Sequence, residues 1–133
     1  MPKTLRVGDM ASLSKVFTEE EVAQFAEIST DRNPIHLDKE FAEASVFGQR
    51  IVHGMLVASL FSGLLGRKLP GEGTVYLSQS LNFKAPVPIG EQVTASVEVK
   101  RIREDKPIVT LRTICVNSEG QVVVEGEAVV KVP

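Results

Sequence analysis

The chain has 133 residues, which fits one domain (residues 1–133) around one core, and its 43 % apolar and 24 % charged content are ordinary for a globular protein. A formal net charge of −2, without a run of lysine or arginine, argues against nucleic-acid binding through a basic face. No apolar stretch is long enough to span a bilayer, the first residues lack a signal-peptide core, and the lone Cys115 suits a reducing compartment, so a cytoplasmic protein that does not enter membranes is expected.

Leu5 to Val16 reads as an opening strand with a turn at Gly8-Asp9. Thr18 followed by Glu21 matches a capping box, and Val22, Phe25, Ala26 and Ile28 supply the apolar side of the helix it starts. That helix should end near Ser29-Thr30. Asp31-Arg32-Asn33-Pro34 is turn chemistry, because Pro34 disfavours helical geometry at Asn33. Asp38 can cap a short helix through Phe41 and Ala44. Gly48-Gln49-Arg50 then leads to the most apolar stretch of the chain, His53 to Arg67. It predicts a helix buried nearly all round, with Ser59, Ser62, Gly63 and Gly66 sharing one small face. Its first amides have no partner inside the helix, so its amino end favours negative charge.

After Pro70-Gly71-Glu72-Gly73 the pattern turns from helical to alternating. Val75, Leu77, Leu81 and Phe83 share one side of a strand that Pro86 to Gly90 ends. Val93, Ala95, Val97 and Val99 mark a half-buried strand, and Ile108 to Val116 is rich in β-branched residues. Asn117-Ser118-Glu119-Gly120 suits a hairpin, followed by Val122, Val124, Ala128, Val130 and Val132 on one side of the last strand. Cys115 falls inside a strand and reads as a structural thiol. One strand, helices, a buried helix and four long strands imply an α+β fold with a largely antiparallel sheet. A curved sheet wrapped around one long helix is the hot-dog fold, and its open edge predicts a homodimer joining two sheets.

The segment Asp31 to Asp38 places a histidine and carboxylates in one loop, and a proline-bent turn can aim Asp31 and His36 at one point. An acid and a base around one water or one carbon is the minimum equipment for proton transfer. The same residues would also serve merely to hold a turn, with His36 at the surface. His53, at the helix start, suits a cap, a packing residue or a catalytic group. Two histidines and scattered carboxylates lack the spacing of a zinc site, and there is no phosphate loop, dinucleotide fingerprint or serine elbow. Ser62 has no neighbouring base and reads as pocket lining or helix packing.

Asp31-x-Asn33-Pro34-x-His36-x-Asp38, followed by Ile51-Val52-His53-Gly54-Met55, resembles the signature of the MaoC-like (R)-specific enoyl-CoA hydratases. The resemblance runs through Leu60 to Gly66 and Arg103 to Pro107 to the last residues, and in length it is similar to the short hydratases that supply (R)-3-hydroxyacyl-CoA for polyhydroxyalkanoate synthesis. It implies reversible syn hydration of trans-2-enoyl-CoA to (3R)-3-hydroxyacyl-CoA, with an acyl-CoA partner and no metal or redox cofactor. By the same resemblance Asp31 takes the proton from a shared water, and His36 orients that water and delivers a proton to C2. The Gly54 amide faces the thioester oxygen, and Asn33 fixes the loop or bonds the substrate. Ser62, Leu65 and Val130 line the acyl tail, and the bulk of the last two implies short chains. The rivals are a hot-dog acyl-CoA thioesterase, a 3-hydroxyacyl-carrier-protein dehydratase and a catalytically silent binding module.

Overall fold

The computed structural model describes residues 4–133. Arg6–Asp9 closes a turn, with Gly8 at φ 97°. The opening strand β1 (Met10–Val16) is therefore shorter than the sequence suggests. α1 (Glu19–Ser29) carries the expected capping box: the Glu21 amide donates to Thr18 Oγ1, and the Thr18 amide donates to Glu21 Oε1. Val22 and Ala26 enter the core, whereas Ile28 faces outward. Pro34 does not merely break the chain. It occupies the first position of a short helix, α2 (Pro34–Leu37), where its missing N–H costs nothing. Asp38 then caps α3 (Lys39–Glu43) through the Phe41 amide.

The long helix α4 (Gly54–Arg67) lies across the inner face of the sheet, against β4 (Gln92–Ile102) and in touch with β1, β5 (Ile108–Asn117) and β6 (Val122–Lys131). Phe61, Leu64 and Leu65 are buried on its sheet-facing side, opposite Val93, Ala95, Val97 and Val99 of β4. The expectation of all-round burial does not hold. Met55, Ser59, Ser62 and Gly63 stay exposed, because one curved sheet covers one side of a helix.

The sheet is antiparallel in the order β1-β4-β5-β6-β2, with β3 (Asn82–Phe83) also paired to β6. The predicted strand from Val75 to Phe83 is thus two strands, β2 (Val75–Gln79) and β3. The break has a cause on β6. The Ser80 carbonyl crosses so close to Gly126 that a Cβ there would lie 1.8 Å from it. Ser80 also exchanges two hydrogen bonds of 2.9 Å with the backbone of Glu127. Val75, Leu77 and Phe83, read as sharing one side of a strand, are exposed along this margin. The hairpin at Asn117–Gly120 forms as read, with Gly120 at φ 81°. Cys115 is fully buried and its thiol is pushed up to about 12, as an inert structural thiol should be. Among the described residues no helix is long and apolar enough to cross a membrane.

Candidate active site

α1 ends in a left-handed residue, Thr30 (φ 66°), which turns the chain sharply before Asp31. Ser29 Oγ donates to the Phe25 carbonyl and accepts from the Asp31 amide at 3.1 Å. Asp31 Oδ1 accepts from the Asn33 amide at 3.2 Å, and Asn33 Oδ1 accepts from the Ile35 amide at 3.2 Å. Two short polar side chains thereby wind the loop and start α2. Asn33 is a cap in this structure, consistent with the loop-fixing half of its expected role. α2 presents His36 inward, where it is 8 % exposed, while the Asp31 side chain keeps 51 % exposure.

His36 Nδ1 lies 2.8 Å from the Ile51 carbonyl. A carbonyl only accepts, so Nδ1 carries the hydrogen and Nε2 offers a lone pair. That Nε2 is 3.9 Å from Asp31 Oδ2. The gap is too wide for a direct hydrogen bond and suits one water bonded to both atoms. The His36 pKa is held below the usual imidazole range. Burial is the main cause; the bond to Ile51 opposes it, His53 lowers it further and Asp31 raises it.

His53 occupies the N-cap of α4 without capping it through its side chain. Its ring stacks on His36, with centroids 3.8 Å apart, and meets the edge of Phe25. Leu56 and Val57 donate to the His53 carbonyl, so the Gly54 and Met55 amides begin the helix without an intrahelical acceptor. Gly54 is tight against Phe83: a Cβ would lie 2.7 Å from the ring. Asp31, His36, His53 and Gly54 all border one cavity of about 710 Å³ with mostly apolar walls, and Lys84 is the one lysine or arginine among the described residues that line it.

Asp31, His36, Gly54 and the cap residue Asn33 are therefore brought together. Ser62 lines a second cavity of about 500 Å³, which adjoins the first because Phe25 and Met55 belong to both. Leu65 and Val130 are buried in the core and border neither cavity. They lie close behind the second one: Leu65 is one turn from Ser62, and Val130 pairs with Tyr76, which lines it. Sequence reasoning missed Phe25, Phe47 and Phe83 as cavity walls. The Phe83-Lys84-Ala85-Pro86 run held the one available signal, since aromatic and proline residues at a strand end shape a rim. Asp31, His36 and His53 offer possible metal-ligand atoms within 4.8 Å of one another. The stacked rings, however, keep their lone pairs in near-parallel planes, a poor start for a shared tetrahedral ion.

Residues 8–120 match the family described as MaoC like domain. An (R)-specific enoyl-CoA hydratase of Aeromonas caviae is 58 % identical over 131 residues, covering 98 % of each chain. An (R)-specific enoyl-CoA hydratase of Rhodospirillum rubrum is 48 % identical over 97 % of this chain and 89 % of its own. The solved structure of the (R)-hydratase from A. caviae involved in PHA biosynthesis superposes with a TM-score of 0.97, over 98 % of this chain and 99 % of that one. The sheet wrapped around α4 is accordingly a hot-dog fold.

Proposed function

This chain belongs to the MaoC-like domain family, and from that premise we propose that it is an (R)-specific enoyl-CoA hydratase, adding water to trans-2-enoyl-CoA to give (3R)-3-hydroxyacyl-CoA. The observation that carries the reading is the 3.9 Å gap between Asp31 Oδ2 and His36 Nε2, on the wall of the cavity that the amino end of α4 also borders. A water in that gap donates one hydrogen to each group and turns its oxygen toward C3 of the alkene. Asp31 takes one proton as the C3–O bond forms, and the π pair moves toward the thioester. The new C3 hydroxyl passes its remaining hydrogen to His36 Nε2 as Asp31 returns the proton it took, and Nε2–H then gives that proton to C2 to form the C2–H bond. The C2=C3 π bond and one O–H bond are broken and one C–O and one C–H bond are made, with no net change in the protein. Both new bonds form from the side of the alkene that faces the pair, which gives syn addition and one hand of product.

Negative charge builds on the thioester oxygen during the addition. The Gly54 amide at the start of α4 is the donor we assign to it, and such a donor is typically worth about 3 kcal/mol of barrier, or ~10²–10³ in rate. The acyl tail runs from the catalytic cavity past Met55 to Ser62, with Leu65 and Val130 closing the space behind and favouring short chains. A thioesterase reading would aim a carboxylate-activated water at the thioester carbon, and the imidazole paired with Asp31 favours the alkene. We place the enzyme in the cytoplasm, as one domain per chain and two chains per molecule.

Crotonyl-CoA supplies the test. Loss of the enoyl absorbance with accumulation of (3R)-3-hydroxybutyryl-CoA is the expected result. Release of free CoA without hydration would establish the thioesterase instead, and turnover confined to carrier-protein thioesters would establish a dehydratase of fatty-acid synthesis.

A further inference from the structure

His53 is 2 % exposed, yet its side chain does not cap the helix it begins. It is spent on the two groups across the cavity wall. Nε2 lies 2.9 Å from the Asp31 carbonyl oxygen and donates to it, since that oxygen only accepts. The ring lies on the His36 ring at 3.8 Å with the planes 24° apart, and Phe25 closes its other side edge-on at 4.9 Å. Its own carbonyl accepts from Leu56 and Val57, so the same residue anchors the first turn of α4 and the Gly54 amide. Nδ1 is buried and has no partner among the described residues. A residue kept only to fill this space would carry no buried acceptor without a donor.

We propose that His53 is a positioning residue of the site: its ring and its Nε2–H set the separation of Asp31 from His36 and hold the pair in register with the amino end of α4. This rests on the hydratase reading and deepens it. Asp31 and His36 are anchored separately, His36 through Nδ1 to the Ile51 carbonyl and Asp31 through the bonds of its own loop. The Asp31 loop is exposed and tied by short side-chain bonds, and His36 rides on a four-residue helix. Their fixed relation comes from a third segment that touches both. His53 also bears on proton affinity. The titratable groups facing the His36 ring are Asp31 from the loop and His53 from the start of α4, with Lys84 on the rim of the cavity after β3. Of these, His53 lowers the pKa of His36 and Asp31 raises it.

Two substitutions separate the two contacts. His53→Phe keeps a stacked ring and loses the donor; His53→Gln keeps a donor of similar reach and loses the ring. In folded protein with unchanged thermal unfolding, His53→Phe should lower kcat for crotonyl-CoA by at least about ten-fold, because small displacements of catalytic groups are costly, with KM little changed. His53→Gln should retain more of kcat and should move the acid limb of kcat/KM to higher pH. Nitrogen-resolved NMR of the unmodified protein gives a second reading that needs no variant: the hydrogen should sit on Nε2 of His53 and on Nδ1 of His36. Wild-type kcat and an unmoved acid limb in both variants would overturn the proposal, as would a His53 hydrogen on Nδ1. Unmodified protein inert toward enoyl thioesters would instead overturn the hydratase premise.

Discussion

At the residue scale the chemistry rests on which nitrogen of His36 holds its hydrogen. Ile51 takes the Nδ1 hydrogen, so Nε2 is free to meet the water. Burial keeps that nitrogen unprotonated at a lower pH than an exposed imidazole would manage. Hydration needs Nε2 to begin as an acceptor, so kcat/KM should fall on the acid side with a limb below the ordinary value near 6.5. A pH–rate profile checks this, and a limb at or above 6.5 would contradict it. The sign for stability is the same. A histidine whose folded value is depressed contributes stability that is fully present above its ordinary value and lost as pH falls through the lowered one. Acid should therefore destabilise the unmodified protein more steeply than His36→Gln. Asp31 and His36 were legible as a pair because they stand five positions apart with a proline between them. The stacking of His36 on His53 was not, since it depends on how Ile51 and the start of α4 meet α2 in space.

At the element scale, α1, β4, β5 and the final hairpin were readable because their signals are local: a capping box, a period of two, and a glycine at the turn position that needs positive φ. β2 and β3 were not readable as separate strands. Their break is made by Ser80 crossing Gly126, a contact spanning forty-odd positions that no local pattern announces. α2 was missed because Pro34 was weighed as a breaker and not as a first helical residue. Gly126 yields a sharp prediction. Its φ is unremarkable, but a methyl group there meets the Ser80 carbonyl head on, so Gly126→Ala must separate the two backbones. Denaturant unfolding should show a loss of stability of several kcal/mol, in the range of severe overpacking. Phe61→Ala, which empties the centre of the α4 interface, should cost about 3–5 kcal/mol in the same assay.

At the scale of the whole molecule the sheet has two margins, β1 and β2. On β2, Val75, Tyr76 and Leu77 are 55, 39 and 51 % exposed, and the small face of α4 lies open nearby with Ser59 and Ser62 in the wall of the second cavity. An exposed apolar edge of this kind invites pairing, and pairing with a second copy would extend the sheet and cover the cavity. Sedimentation equilibrium should report a dimer. Leu77→Lys, a charge placed on that edge, should shift it toward monomer and reduce turnover with it. A monomeric unmodified protein with full activity would show that the site is complete within one chain. The fold itself was legible from the order of its elements: one long apolar helix followed by strands with short connections leaves few ways to cover that helix.

The claim beneath every scale is that one carboxylate and one imidazole share a single water beside the start of α4. Steady-state hydration of crotonyl-CoA by Asp31→Asn and His36→Gln, each shown by circular dichroism to be folded, tests it most directly. The account predicts that kcat falls at least ~10²-fold in each, and that the double variant is scarcely worse than either alone, because groups acting as a unit are not additive. Near-normal turnover in either single variant, or losses that multiply in the double one, would contradict it.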